Sequence, residues 1–193
     1  MTVRNLLRPV LAASRRARDR GLHPFRHRAA STAAARNPRP RSILVICHGN
    51  ICRSPFAEAV IRRELNGATV IVRSAGFIGP GRQSPPNALR AASGRGIDMA
   101  AHRSQVLEPG IVRAADLVIT MDARQAREIR ERFGKPSWQV LLLGDFDPVS
   151  SHGRTIMDPV DLSVEVFDGV YARIEQCARE LARAILGSSG ALA

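Results

Sequence analysis

Short apolar, β-branched runs that alternate with helical stretches predict an α/β fold: a small doubly wound sheet of four parallel strands flanked by helices. The first run, residues 42–47 (SILVIC), reads as a buried strand. Residues 69–72 (TVIV), 115–120 (ADLVIT) and 139–143 (QVLLL) supply the other three. Between them lie a helix from Pro55 to about Leu65, closed by Asn66-Gly67, and a short one over 87–93, ended by Gly94 and Gly96. An Arg/Glu-rich helix over 122–133 stops at Gly134, and an amphipathic helix runs from Ser163 to about Leu186. The Gly- and Pro-rich stretch 75–86 and the segment 144–162 read as loops.

The chain has 193 residues and a formal net charge of +12. Residues 1–42 hold 11 Arg and a single acid, Asp19, whereas residues 43–193 hold 18 basic and 16 acidic residues. The basicity therefore belongs to an N-terminal extension, and the globular part is nearly neutral. We expect three parts: residues 1–41 as a basic Arg/Ala/Pro-rich extension that is disordered, 42–189 as one domain, and 190–193 as a tail. Two other readings of the extension stay open. Val3, Leu6, Leu7, Val10 and Leu11 have the spacing of a membrane-surface helix, although Pro9 interrupts them, and the Arg-rich, acid-poor composition also suits an organellar transit peptide. Nonspecific contact with anions or a membrane surface is thus an expectation for residues 1–41. Asn37-Pro38-Arg39-Pro40 reads as a stiff linker. Three cysteines, Cys47, Cys52 and Cys177, point to a reducing compartment rather than a disulfide scaffold. No apolar run approaches the ~20 residues of a membrane helix.

Chemistry concentrates in Cys47-His48-Gly49-Asn50-Ile51-Cys52-Arg53-Ser54-Pro55, between the first strand and the helix that follows. Ser54 suits the N-cap and Pro55 the first helical turn. A loop ending at a helix N-terminus presents unpaired N–H groups and a partial positive charge, which makes it an anion cradle. Gly49 and Asn50 tolerate positive φ and let amides turn inward. The same field favours a thiolate at Cys47. Arg53 can fork two N–H donors onto phosphate oxygens, and Ser54 can donate to the sulfur. A cysteine that closes a strand is ordinarily just its last apolar residue, and C-x5-R by itself is weak. The whole string, set between strand and helix, carries the reading. A general acid is also needed, and two Asp-Pro pairs, Asp147-Pro148 and Asp158-Pro159, lie in the loop after the fourth strand.

Together with Ser74-Ala75-Gly76, Gly96-Ile97-Asp98-Met99 with His102, Ala115-Asp116-Leu117 through Met121-Asp122, Leu142-Leu143-Gly144-Asp145-Phe146-Asp147-Pro148, and Met157-Asp158-Pro159 with Phe167 and Tyr171, this string makes residues 43–187 resemble the low-molecular-weight protein tyrosine phosphatases. The resemblance implies a flavodoxin-like strand order and a cytoplasmic hydrolase that needs no metal or cofactor. Cys47 would be the nucleophile, Arg53 the phosphate-binding arginine and Asp158, rather than Asp147, the general acid. His48, Gly49, Asn50, Ile51, Cys52 and Ser54 would line the phosphate site, supported by Ser74 and His102. The expected partner is a phosphotyrosine protein, in a bacterium an autophosphorylating tyrosine kinase.

The sequence departs from the family after the Asp-Pro pair. An aromatic residue usually follows there as one wall of the phenyl slot, and here Val160 and Asp161 follow instead. Phe77 or Ile78 is expected on the opposite wall. Ile51 matches tyrosine-directed members, while phosphoarginine phosphatases resemble them but carry Thr. Cys52 reads as loop packing and as a redox partner able to protect Cys47, and Cys177 as core. Two rivals are an arsenate reductase on the same fold, disfavoured because residues 75–115 lack a resolving cysteine, and a phosphate- or phosphoprotein-binding module, which would not need Cys47, Arg53 and Asp158 together.

Overall fold

The computed structural model describes residues 3–36 and 39–187. Six helices are described: α1 (Val3–Ala34), α2 (Arg53–Glu64), α3 (Pro86–Ser93), α4 (Pro109–Ala114), α5 (Ala123–Phe133) and α6 (Val164–Leu186). The strands β1 (Ser42–Cys47), β2 (Ile71–Gly76), β3 (Leu117–Thr120) and β4 (Val140–Leu142) form one sheet in the order β2-β1-β3-β4, with every pair parallel. The order is flavodoxin-like, and the winding reverses between β1 and β3. Cys47 ends β1 at the carboxyl edge beside that switch point, in register with Gly76 of β2.

The two-residue period of the strands divides the core in two. Ile43, Val45, Cys47, Leu117, Ile119 and Leu141 pack with α2, α3 and α6. Leu44, Ile46, Val118, Val140 and Leu142 pack on the other side with α4 and α5. Tyr171 of α6 anchors the larger core: its ring stacks on Phe56 at 3.9 Å and 4°, and meets the edge of Phe167 at 5.7 Å. Each such buried aromatic contributes about 1.5–3 kcal/mol through apolar burial. α5 is closed at both ends. The Asp122 carboxylate accepts the Gln125 N–H (2.8 Å), and Gly134, in the left-handed region at φ 67, sends its N–H to Arg130 O (3.0 Å).

Asp116 ties the start of β1 to β3. Its carboxylate accepts the Arg41 N–H (2.9 Å), the Ser42 N–H (3.0 Å) and the Ser42 hydroxyl (3.1 Å). Burial raises its pKa, but these three donors outweigh that effect and hold it below the ordinary carboxylate value. A depressed folded pKa contributes stability above the unfolded value, and that contribution is lost as pH falls through the folded one.

Three sequence expectations need correction. The second strand lies at Ile71–Gly76 rather than 69–72. Its register with β1, Ser42 against Ile71 through Cys47 against Gly76, carries it past polar Ser74, whose hydroxyl is satisfied by side chains. The six-residue α4 is too short for its periodicity to stand out. The extension expected to be disordered forms α1. Ala30 and Ala34 are buried in the larger core, His23 Nε2 donates to Asp147 O (2.8 Å), and the Arg36 guanidinium lies 4.5 Å from the Trp138 ring. Propensity alone leaves such an arm marginal in water, and docking on α6 and on the turns 143–146 and 150–152 gives it a fold. Asn37 and Pro38 of the linker and the 190–193 tail lie outside the described residues.

Deleting residues 1–38 should therefore leave a folded domain with a lower melting temperature. Two buried alanines and one hydrogen bond amount to about 2 kcal/mol, or a fall of about 4–8 °C at this size. Differential scanning calorimetry measures it, and an unchanged midpoint would show that the docking contributes nothing.

Candidate active site

The loop 47–53 leaves β1 and enters α2. Asn50 stands at φ 50, a left-handed conformation costly for a side-chain-bearing residue, and its own side chain holds it there. Its Oδ1 accepts the Gln105 N–H (2.8 Å), which fixes the amide orientation. Its Nδ2 donates to Ser54 Oγ (2.9 Å) and Ser74 Oγ (2.8 Å). Each serine receives one proton and passes on another. Ser74 donates to Glu58 Oε2 (2.6 Å), and the Ser54 hydroxyl is left to donate to Cys47 Sγ at 3.0 Å. The Asn50 N–H adds a second donor to the sulfur at 3.2 Å.

Three of the loop's carbonyls are held by groups outside it. His48 O accepts the N–H groups of Phe77 (2.8 Å) and Ile78 (3.3 Å), Asn50 O accepts from His102 Nε2 (2.7 Å), and Cys52 O accepts from the Tyr171 hydroxyl (3.1 Å). In a trans peptide the N–H opposes the C=O. The N–H groups of Gly49, Ile51 and Arg53 therefore face the opposite side from these anchors. Gly76 lets the loop sit this close: a Cβ there would meet Asn50 N and His48 O at 2.8 Å. Ser54, expected to cap α2, does not. Cys52 holds the N-cap position without a capping side chain, because the Ser54 hydroxyl is committed to Cys47 and Asn50. The amides at the start of α2 are thus left for an anion.

Arg53 is buried beneath the loop. Nη1 donates to Ile156 O (3.1 Å), Nη2 pairs with the Asp158 carboxylate, and Nε is buried without a hydrogen-bond partner. Asp158 sits at the rim, its side chain 39% exposed. Asp147 differs in its burial and in the number of its partners. It is fully buried, and its carboxylate accepts from Arg173 Nε (2.6 Å), the Val149 N–H (2.8 Å) and His152 Nδ1 (3.0 Å). Burial, then the neighbouring Cys47 and Asp158, push the Cys52 thiol up to about 12, so it is a neutral thiol at physiological pH. Burial also raises Tyr171 and Cys177, and the Tyr171 hydroxyl stays a donor.

A cleft of about 320 Å³ opens beside the loop, lined among others by His48, Arg53, Phe77, Arg124, Ile156 and Asp158. Phe77, not the exposed Ile78, lines it. Val160 is exposed, and Asp161 adopts φ 63. The structure thus gathers Cys47, Asn50, Arg53, Ser54, Ser74, His102 and Asp158 around one thiol, while the His48 side chain lies exposed at the mouth. Glu58 and the Gln105 amide escaped sequence reasoning. Glu58 looks like any helix-surface acid, and a main-chain donor leaves no residue signature.

A thiol among inward amides at the end of β1, backed by an arginine and faced by a rim aspartate, defines a cysteine-based phosphatase of the small α/β type. The family described as low molecular weight phosphotyrosine protein phosphatase matches residues 42–189, and the chain belongs to it. It is 35% identical over 136 residues to the probable low molecular weight protein-tyrosine-phosphatase EpsP of Ralstonia solanacearum, covering 70% of this chain and 90% of that one. It is 33% identical over 144 residues to a protein-arginine-phosphatase of Bacillus subtilis, covering 73% and 94%. The crystal structure of the tyrosine phosphatase Wzb from Escherichia coli, in complex with sulphate, superposes with a TM-score of 0.69 at 32% identity, covering 77% of this chain and 99% of that one.

Val160 is exposed two residues beyond Asp158, the carboxylate that lines the cleft, where the family usually carries an aromatic residue. Val160→Tyr should lower KM for phenyl phosphate about threefold to tenfold, since an aromatic pair is worth about 0.5–1.5 kcal/mol beyond its area. Steady-state kinetics decide, and an unchanged or higher KM would sink the idea.

Proposed function

We propose that this chain hydrolyses phosphotyrosine in proteins through a phosphocysteine on Cys47. The observation that carries the reading is the pair of donors on Cys47 Sγ, Ser54 and the Asn50 amide, set against the Arg53–Asp158 pair. Both donors favour the thiolate as nucleophile and as leaving group. Arg53 holds an unpaired buried N–H, and a phosphate oxygen is the acceptor that would satisfy it. An incoming dianion draws Arg53 to itself and, as a like charge near Asp158, favours the carboxylic acid form there.

Sγ then attacks phosphorus in line, the P–O bond to the phenol breaks, and the phenol oxygen takes the Asp158 proton. The Asp158 carboxylate next accepts a proton from water, the resulting hydroxide attacks phosphorus, and the S–P bond breaks to return the thiolate. Loop amides and Arg53 hold the equatorial oxygens through both steps. The free cysteines and the dependence on a thiolate support a cytoplasmic setting. The names of the bacterial relatives support a phosphotyrosine substrate, and within that class our reading is a bacterial tyrosine kinase that phosphorylates itself. Phosphoarginine is the second reading, favoured by the Bacillus subtilis relative, and Ile51 weighs against it.

In assays with p-nitrophenyl phosphate near pH 6, wild type should turn over without added metal, Cys47→Ser should be inactive, and Asp158→Ala should lose about 10²–10³-fold in kcat. A phosphotyrosine peptide should be cleaved well ahead of a phosphoarginine peptide. The reverse order would move the assignment to phosphoarginine.

The outward side of α1 supports contact with an anionic membrane surface, because Phe25 and Leu22 are exposed there beside Arg18, Arg20 and Arg28. The full chain should co-sediment with phosphatidylglycerol vesicles in a salt-sensitive way, and the chain lacking residues 1–38 should not. Equal binding by both would exclude α1 as the source.

A further inference from the structure

Beyond β2 the chain turns through Gly79 (φ 63) and Gly81 (φ 76) and brings Arg82 back over the loop that carries Cys47. The Arg82 guanidinium donates from Nη2 to Gly49 O (2.8 Å) and Ile78 O (3.1 Å), and from Nε to Gly79 O (3.0 Å). Its main chain is fixed as well. The Arg82 N–H donates to Ser104 Oγ (2.9 Å), and Arg82 O accepts the Ser104 N–H (2.9 Å). Among the described residues no carboxylate pairs with it. Gly49 makes room for the head group, since a Cβ there would meet Nη2 at 2.8 Å.

The bond to Gly49 O controls one peptide unit. That unit's other end is the Asn50 N–H, which points at Cys47 Sγ (3.2 Å). The neighbouring carbonyls, those of His48 and Asn50, are held by Phe77, Ile78 and His102, whereas the Gly49 carbonyl depends on Arg82. Rotating the peptide between Gly49 and Asn50 by half a turn would move Asn50 from φ 50 into the negative-φ region that residues with side chains prefer. Gly49 offers little steric resistance to such a flip. The flipped unit would present a carbonyl oxygen to the sulfur and to any bound phosphate. The Asn50 side chain holds the residue itself, and among the described hydrogen bonds the Arg82 guanidinium is the donor that holds the oxygen of the unit.

We propose that Arg82 is a positioning residue for the hydrolysis: by holding the Gly49 carbonyl outward, it keeps the Asn50 N–H aimed at Cys47 Sγ and at the phosphate. The proposal rests on the phosphatase reading for its kinetic consequence and on the loop geometry alone for its binding consequence. Arg82 donates to main-chain carbonyls and not to the sulfur. Its effect passes through one peptide unit, so anion affinity and turnover should fall together while the fold is kept.

The test compares wild type, Arg82→Met, which keeps the stem and removes the donors, and Arg82→Lys, which keeps a cation able to reach one carbonyl. Four quantities are read: kcat and KM for p-nitrophenyl phosphate, competitive inhibition by inorganic phosphate, protection of Cys47 by phosphate against iodoacetate, and the melting midpoint. Arg82→Met should lower kcat at least about tenfold and weaken phosphate inhibition and protection about tenfold, the scale of one charge-assisted hydrogen bond. Its midpoint should stay within a few degrees, and Arg82→Lys should recover most of both losses. Phosphate inhibition and kcat within twofold of wild type in Arg82→Met would overturn the proposal. So would a loss of kcat with phosphate affinity unchanged, or losses that merely follow a collapsed midpoint in both variants. If wild type turns over no substrate at all, the phosphatase reading fails, and the iodoacetate protection assay still decides whether Arg82 aims the loop.

Discussion

Every peptide unit of the loop after β1 that turns its N–H toward Cys47 must turn its C=O the other way, and a buried carbonyl without a partner is expensive. The surrounding fold offers donors to the carbonyls of His48, Gly49, Asn50 and Cys52: two amides from the end of β2, the Arg82 guanidinium, the imidazole of His102 and the hydroxyl of Tyr171. These partners come from the β2 terminus and the turn beyond it, a distant loop and the last helix. The shape of the loop is thus a property of the whole sheet and its connections, and the sequence of the loop alone would not hold it.

The same dependence explains why polar groups are buried around a thiol. Asn50, Ser54 and Ser74 lie deep, and each hydroxyl both receives and gives a proton along the path from Glu58 to Cys47. A fully satisfied chain of this kind rigidifies a site, whereas a partly satisfied one would be worse than an apolar core. Asp147 does comparable work for the segment that carries Asp158. It binds Arg173 of α6, the Val149 amide and His152, and its carbonyl takes the bond from His23 of α1. The two Asp-Pro pairs, equivalent as dipeptides, divide into a buried anchor and an exposed rim carboxylate.

Local signals of the fold were strong where an element carried its own periodicity and punctuation. β1, α5 with Asp122 and Gly134 at its ends, and α6 lie within a residue or so of where the sequence put them. Signals failed where tertiary context overrode local preference. β2 is drawn onward to Gly76 by its register with β1, although Ser74 reads as a loop residue. α1 reads as a disordered arm because its composition is basic, and it is a helix because Ala30 and Ala34 find a buried seat beside α6. Of the site, Cys47, Arg53 and Asp158 were legible as residue types at telling positions. Glu58, Gln105 and Arg82 were not, since a surface-type acid, a main-chain amide and a loop arginine look alike wherever they occur.

By itself the sequence determined the order of the four strands and of α2, α3, α5 and α6, the strand-to-loop-to-helix setting of Cys47, and the chemistry available there, because periodicity, glycine placement and side-chain functional groups are local properties. Only the tertiary structure decided which way each peptide of the loop faces, that Asp147 becomes a buried anchor, and whether the N-terminal arm folds. Those outcomes depend on hydrogen-bond partners and burial supplied by residues far along the chain, and no local signal encodes which distant group will arrive.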